Sequence, residues 1–224
     1  KFNESKDIQA RLQQIALEET VAYITRHMQS VPAVSSAFAV YDFVLPRVSV
    51  ADGLYCEFGV WKGNSINYMA RKVDREFHGF DSFTGLPEFW RGGYGKGAFS
   101  LDGALPPVEK NVRLHKGWFE ETLPPFLRQY PGPIALLHVD SDLYSSAKTI
   151  FSYLKERITE GTIIVFDEYF NFPFWQNQEY KAFREFLAET GWGYDYLCYN
   201  QCHEQVAVQI RKGTGGRPAE EGIG

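Results

Sequence analysis

Residues 54–70, LYCEFGVWKGNSINYMA, read as strand, glycine turn and helix in immediate succession. The apolar run Leu54-Tyr55-Cys56 reaches an acid, Glu57, and Gly59 and Gly63 follow. From Asn64 onward Ile66, Met69, Ala70 and Val73 fall on one face of a helix. Glycine lets the backbone bend sharply and approach a ligand, and a helix starting there offers unpaired N–H groups. The two glycines flank Val60-Trp61-Lys62, so the stretch lacks the G-x-G-x-x-G dinucleotide fingerprint. Trp61 stands where the middle glycine would be, and a pyrophosphate would meet an indole there. The acid before the turn suits a ligand carrying an ammonium group. The alternative is a tight turn that serves only the fold.

Downstream the chain alternates. A second strand is predicted over 77–80, ending at Asp81, and a third over 112–116. The runs 134–139 (IALLHV) and 162–166 (TIIVF) are continuously apolar, as in strands buried on both faces. Helices are predicted near 120–130 and 146–157, and around Tyr180, Phe183, Phe186 and Leu187, closed by Gly191. Residues 194–199 and 205–210, joined by a short turn, form an antiparallel hairpin. This pattern predicts an α/β, Rossmann-like sheet of seven strands, mostly parallel, with an antiparallel last strand and helices on both faces.

Upstream, Ile8, Leu12, Ile15, Val21, Ile24 and Met28 share a face of a helix over 5–29, with Asp7 in its first turn and Pro32 beyond it. A second helix starts at Ser35 or Ser36 and runs to Pro46. Residues 1–48 are thus an N-terminal helical extension, a lid, a subunit contact or plain packing, before a core over 49–211. A homo-oligomer, in the simplest case a dimer, is expected. Between Glu88 and Asn111 five glycines and the aromatics Phe89, Trp90, Tyr94 and Phe99 mark a mobile cover. Residues 212–224, rich in Gly and Glu with one Pro, read as a flexible tail. The chain opens on Lys, which suggests a piece of something longer.

A net charge of -5 opposes a nucleic-acid footprint. No apolar run approaches the ~18–20 residues that span a bilayer, and no signal-peptide pattern opens the chain. A soluble, cytoplasmic protein is expected, with neither nucleic acid nor membrane as partner. Cys56, Cys198 and Cys202 are an odd number and a poor disulfide framework. With His203, the last two lack the fourth partner and the spacing of a zinc site.

Ligands of open parallel sheets bind beyond the carboxyl ends of the strands. Those ends carry Glu57, Asp81-Ser82, Lys116-Gly117-Trp118, Asp140-Ser141-Asp142 and Asp167-Glu168. So many acids along one rim repel one another unless a cation balances them. Asp81 is placed to accept both hydroxyls of a ribose, although its turn-rich surroundings also suit a capping aspartate. Asp140, Asp167 and Glu168 form an oxygen-rich set that selects Mg²⁺ or another hard divalent cation over zinc. Asp142 is left over as the general base towards a hydroxyl whose pKa such a cation lowers. His138 competes for that role, but like His115 it lies in an apolar strand and reads as a satisfied core histidine.

Taken together, EFGVWKGNS (57–65), GFDSFTGLPE (79–88), KGWFEETLP (116–124), HVDSDLYSS (138–146) and IIVFDEY (163–169) resemble the macrocin O-methyltransferase family. These are metal-dependent class I enzymes that methylate deoxysugar hydroxyls of natural products. The resemblance implies the class I methyltransferase fold, S-adenosyl-L-methionine as donor and Mg²⁺ as metal. Carried over by position, Glu57, Gly59 and Gly63 face the methionine part and Asp81 the ribose. Val60, Ser65, Ser82, Gly117, Trp118 and Asp140 complete the implied cofactor-binding set. Asp140, Asp167 and Glu168 become the metal ligands, with Asp140 and Asp142 catalytic. The family commonly has two aspartates where this chain has Asp167-Glu168, so the second ligand differs in reach. The acceptor is expected to be a small-molecule or carrier-bound hydroxyl: a sugar, or else a phenol, another alcohol or a synthase-carried intermediate. An NAD-dependent oxidoreductase and a non-catalytic binding module are the readings from other classes.

Overall fold

A computed structural model of the chain describes residues 6–213. The first helix, α1 (Ile8–His27), begins where the Asp7 carboxylate accepts the Ala10 N–H at 3.0 Å, a cap rather than a first-turn position. Ser36 caps α2 (Ala37–Val44) in the same way through Ala39. Strand β2 (Leu54–Phe58), α3 (Asn64–Lys72), β3 (Phe77–Asp81), β4 (Val112–Lys116), α4 (Phe119–Gln129), β5 (Ile134–Val139), α5 (Tyr144–Leu154) and β6 (Ile158–Phe166) then alternate. The chain closes with α6 (Glu179–Thr190), stopped by Gly191 in the left-handed region, and the hairpin of β7 (Gly193–Asn200) and β8 (Val206–Arg211).

With β1 (Ala33–Val34), the sheet has eight strands among the described residues in the order β1-β7-β8-β6-β5-β2-β3-β4, one more than the sequence predicts. The addition is β1, Ala33–Val34, which pairs parallel to Tyr199 and Asn200 of β7. Two residues carry no readable alternation, and backbone bonds at either end secure the pairing: Tyr199 N–H to the Pro32 carbonyl and Gln201 N–H to that of Val34. Only β8 runs against its neighbours, wedged antiparallel between β6 and β7.

One apolar layer joins the sheet to α4, α5, α6 and the end of α1, through Leu123, Ile150, Phe183 and Met28. The other joins it to α2 and α3, through Val40, Val44, Ile66 and Met69. Strand β5 is buried along its whole length between these layers, as its unbroken apolar run predicts. Its C-terminal end opens onto the site. Residues 214–224, most of the expected tail, lie outside the described residues, as do residues 1–5.

Candidate active site

The glycine turn is pinned from three directions. Gly59 has φ +93°, its N–H bonds the Phe80 carbonyl, and a Cβ built on it would lie 1.6 Å from the Asp140 carbonyl oxygen. No side chain fits there, so the turn lies directly against the end of β5. Asp81 fastens the other side: Oδ2 accepts the Val60 and Trp61 N–H groups at 2.9 and 2.8 Å, and Oδ1 accepts that of Phe83 at 2.6 Å. It is thereby a turn aspartate, and a carboxylate with about four lone-pair sites keeps capacity for one further donor. Those bonds also hold Trp61 at φ +44°.

Glu57, expected to face the ligand, is fully buried outside the lining of the site. Its Oε1 accepts the Ser65 hydroxyl at 2.9 Å, and its Oε2 meets His138 Nδ1 at 3.0 Å. Burial raises the Glu57 carboxyl, and His138 offsets part of that rise. His138 is a bridge as well as a core residue: its other nitrogen lies 3.3 Å from the Tyr41 hydroxyl and 3.8 Å from Asp167 Oδ1. Burial opposes its charge, yet Asp167 and Glu57 outweigh burial and lift its pKa well above the ordinary range.

Above the strand ends lies a cavity of about 560 Å³, lined among the described residues by seven carboxylates and a single cation, Arg91. Gly59, Asp81, Ser82, Trp118, Asp140, Asp142, Asp167 and Glu168 all face it, whereas Val60, Gly63, Ser65 and Gly117 stand behind. One donor atom each from Asp140, Asp142 and Glu168 fall within 4.8 Å of one another, as do those of His138, Asp140 and Asp167. Asp140 therefore belongs to both groups, and these two are the candidate ion-holding groups among the described residues. Neither contains Cys198 or Cys202, which are free thiols.

The charges in this cluster are mutually strained. Burial and then the Asp167 charge push Asp140 and Glu168 well above the carboxylate range. The same causes lift Asp142 to about 7, against the pull of Arg91. Asp167 ends below its ordinary value: burial pushes it up, and His138, Gln205 and Glu168 together outweigh burial. Glu168 Oε2 is buried with no hydrogen-bond partner among the described residues. Crowded carboxylates, an orphaned carboxylate oxygen and a largely oxygen donor set fit a hard divalent cation. The shaped turn at Gly59 and the spare acceptor capacity of Asp81 likewise fit a nucleoside-bearing donor.

The long segment after β3 roofs the cavity with Trp90, Tyr94 and Phe99, while Phe89 points away and is exposed. Glu88 accepts the Ser145 hydroxyl at 2.6 Å, and Arg91 pairs with Glu204 at 2.9 Å while lying 3.8 Å over the Trp90 ring. Sequence reasoning missed Arg91, whose partner sits 113 residues away in the β7–β8 turn. Its place in an aromatic, glycine-rich segment is the signal that was available.

A parallel sheet closed by one wedged antiparallel strand, with its site along the carboxyl rim, defines the class I, Rossmann-like methyltransferase fold. Residues 56–169 match the methyltransferase domain family, and the chain belongs to that family. Over 154 residues it is 30% identical to 8-demethyl-8-(2,3-dimethoxy-alpha-L-rhamnosyl)-tetracenomycin-C 4'-O-methyltransferase of Streptomyces olivaceus, covering 54% of this chain and 55% of that one. The chain spans about half the length of the curated relatives it matches. Among solved structures, the calicheamicin methyltransferase CalS11 superposes with a TM-score of 0.63 at 24% identity, over 93% of each chain. An O-methyltransferase from Bacillus cereus in complex with SAH gives a TM-score of 0.53 at 13% identity, over 90% of this chain and 91% of that one. These two likenesses concern the fold. No described helix is long and apolar enough to cross a membrane.

Proposed function

We propose that this chain is an S-adenosylmethionine-dependent O-methyltransferase acting on a hydroxyl of a natural-product sugar or similar secondary metabolite. In this reading Mg²⁺ or another hard divalent cation is held at Asp140, with Glu168 from one of its two groups and Asp167 from the other. The observation that carries it is the carboxylate cluster around Asp140 opening beside the Gly59 turn, in one cavity under an aromatic roof. The name of the Streptomyces olivaceus relative, an O-methyltransferase of a rhamnosyl-tetracenomycin, supports a glycoside acceptor.

S-adenosylmethionine supplies an electrophilic methyl group on its sulfonium sulfur. A divalent cation supplies Lewis acidity, which lowers the pKa of the acceptor hydroxyl. The chain's residues do the rest. Asp81 and Gly59 shape the donor turn, and Trp118 lines the cavity. Asp142 would receive the hydroxyl proton on its carboxylate, while the O–CH3 bond formed, the sulfonium S–CH3 bond broke and neutral S-adenosylhomocysteine was left. Trp90, Tyr94 and Phe99 offer flat faces to a sugar ring and keep water from the reacting atoms.

The test is incubation with S-adenosylmethionine and a panel of glycosides, phenols and carrier-bound intermediates, read by mass spectrometry. Methylation of a glycoside hydroxyl is the expected result. Methylation confined to phenols or carrier-bound chains moves the acceptor class. Calorimetry that finds tight nicotinamide binding and no response to S-adenosylmethionine ends the reading.

A further inference from the structure

Two consecutive side chains, one at the cap and one at the first residue of α6, reach away from that helix to the turn between β5 and α5. Glu179 is fully buried, and its Oε1 accepts both the Ser141 N–H at 3.1 Å and the Ser141 hydroxyl at 3.2 Å. Gln178 Oε1 accepts the Tyr144 N–H at 3.0 Å, satisfying an otherwise unpaired donor at the head of α5. Between these two anchors Asp142 has φ +62°, and Leu143 N–H closes on the Ser141 carbonyl at 2.6 Å. A non-glycine residue held left-handed is strained and persists only where its surroundings over-determine it. A glutamate in a first helical turn ordinarily serves that helix's own N–H groups. Here it serves a loop nearly forty residues away in sequence.

We infer that Glu179, seconded by Gln178, is a positioning residue that clamps the 140–144 turn so that Asp140 and Asp142 converge on Glu168. The inference rests on the methyl transfer proposed above, because it assigns those acids to the reacting oxygen. Glu179 touches none of the reacting atoms and does not line the cavity. Its action passes through Ser141, which stands between the two aspartates. What matters is an acceptor oxygen at that place, so glutamine is expected to substitute and an apolar side chain is not.

The experiment compares Glu179→Gln and Glu179→Leu with the wild-type chain in two readouts. The first is steady-state kinetics on whichever acceptor the panel identifies. The second is amide hydrogen exchange of a peptide covering residues 140–147, which needs no turnover. Glu179→Gln is expected to keep kcat within about threefold. Glu179→Leu is expected to lower kcat about 100-fold, the scale of a misplaced catalytic group, with the KM for S-adenosylmethionine held within about threefold. Faster exchange over 140–147 in the leucine variant, and not in the glutamine variant, completes the expected result. The inference is overturned if the leucine variant matches wild type in kcat and exchange, or if glutamine loses as much as leucine. Should Glu179→Leu fail to fold, Gln178→Ala takes its place, with a smaller kcat loss and faster exchange expected and no change in either overturning the inference. A wild-type chain that methylates no acceptor removes the proposed function, while the exchange arm still decides whether the clamp exists.

Discussion

Gly59 is the position with least latitude. Its φ of +93° and the 1.6 Å approach of a built Cβ to the Asp140 carbonyl exclude every side chain unless β5 shifts. Gly59→Ala is expected to cost about 3 kcal/mol or more in urea unfolding, through strain and overpacking together. S-adenosylmethionine binding should be lost in calorimetry on whatever fraction remains folded. Asp140 is different, because its side chain faces the cavity while its backbone carries the packing. Asp140→Ala is expected to abolish turnover and leave S-adenosylmethionine affinity within a few-fold. A collapse of donor affinity in that variant would reassign the residue to the donor.

At the scale of elements, the later part of the segment between β3 and β4 is bound to α3 through Asn67 and Arg71, and its earlier part forms the roof. Glu88 reaches α5 and Arg91 reaches the β7–β8 turn, so the roof is fastened to two distant parts of the chain. Glu204 is largely buried and its second oxygen has no partner among the described residues. Removing Arg91 strands a carboxylate that burial already raises. Arg91→Ala is expected to raise the KM for the acceptor about tenfold, with a far smaller effect on donor affinity. Equal losses for both ligands would place Arg91 in general stability instead. The extension is also bound into the core. Thr20 of α1 accepts the Asn171 N–H, Gln13 donates to the Asn171 carbonyl, and the Tyr23 hydroxyl joins those of Tyr169 and Tyr196.

For the molecule as a whole, the charge balance of the cavity makes the clearest demand. EDTA is expected to stop methyl transfer and added Mg²⁺ to restore it, measured as product formed under saturating donor. Turnover untouched by chelation would leave the carboxylates to share protons instead. The opposite end of the sheet sets a separate pH limit. Burial depresses His78 to about 4, with His115 and Arg113 adding to the fall and Glu76 opposing it. In the unfolded chain the group titrates near its usual value of about 6.5. Between those values the unfolded chain holds the proton and the folded chain does not. Stability from this group is therefore full above about pH 6.5 and is lost as pH falls towards 4. Melting temperatures from pH 7 to 4 should fall less steeply in His78→Phe, whose ring can pack against Phe126 and Tyr130.

The sequence by itself determined whatever depends on local periodicity and on strand ends. The apolar runs of β5 and β6 can only be buried strands, the spacing after Gly63 can only be an amphipathic helix, and each strand's last residues necessarily reach the same rim. Asp81, Asp140, Asp142, Asp167 and Glu168 were therefore legible as neighbours before any coordinates. Partnerships between residues far apart in the chain were not legible, because no local pattern encodes them. The short strand β1 exists only because β7 offers an edge. Glu57 reads as a ligand acid until β5 sets His138 against it. Arg91 and Glu179 each owe their place to a partner dozens of residues away. Side-chain direction within a folded sheet is set by packing from both faces, and that packing is a property of the assembled chain alone.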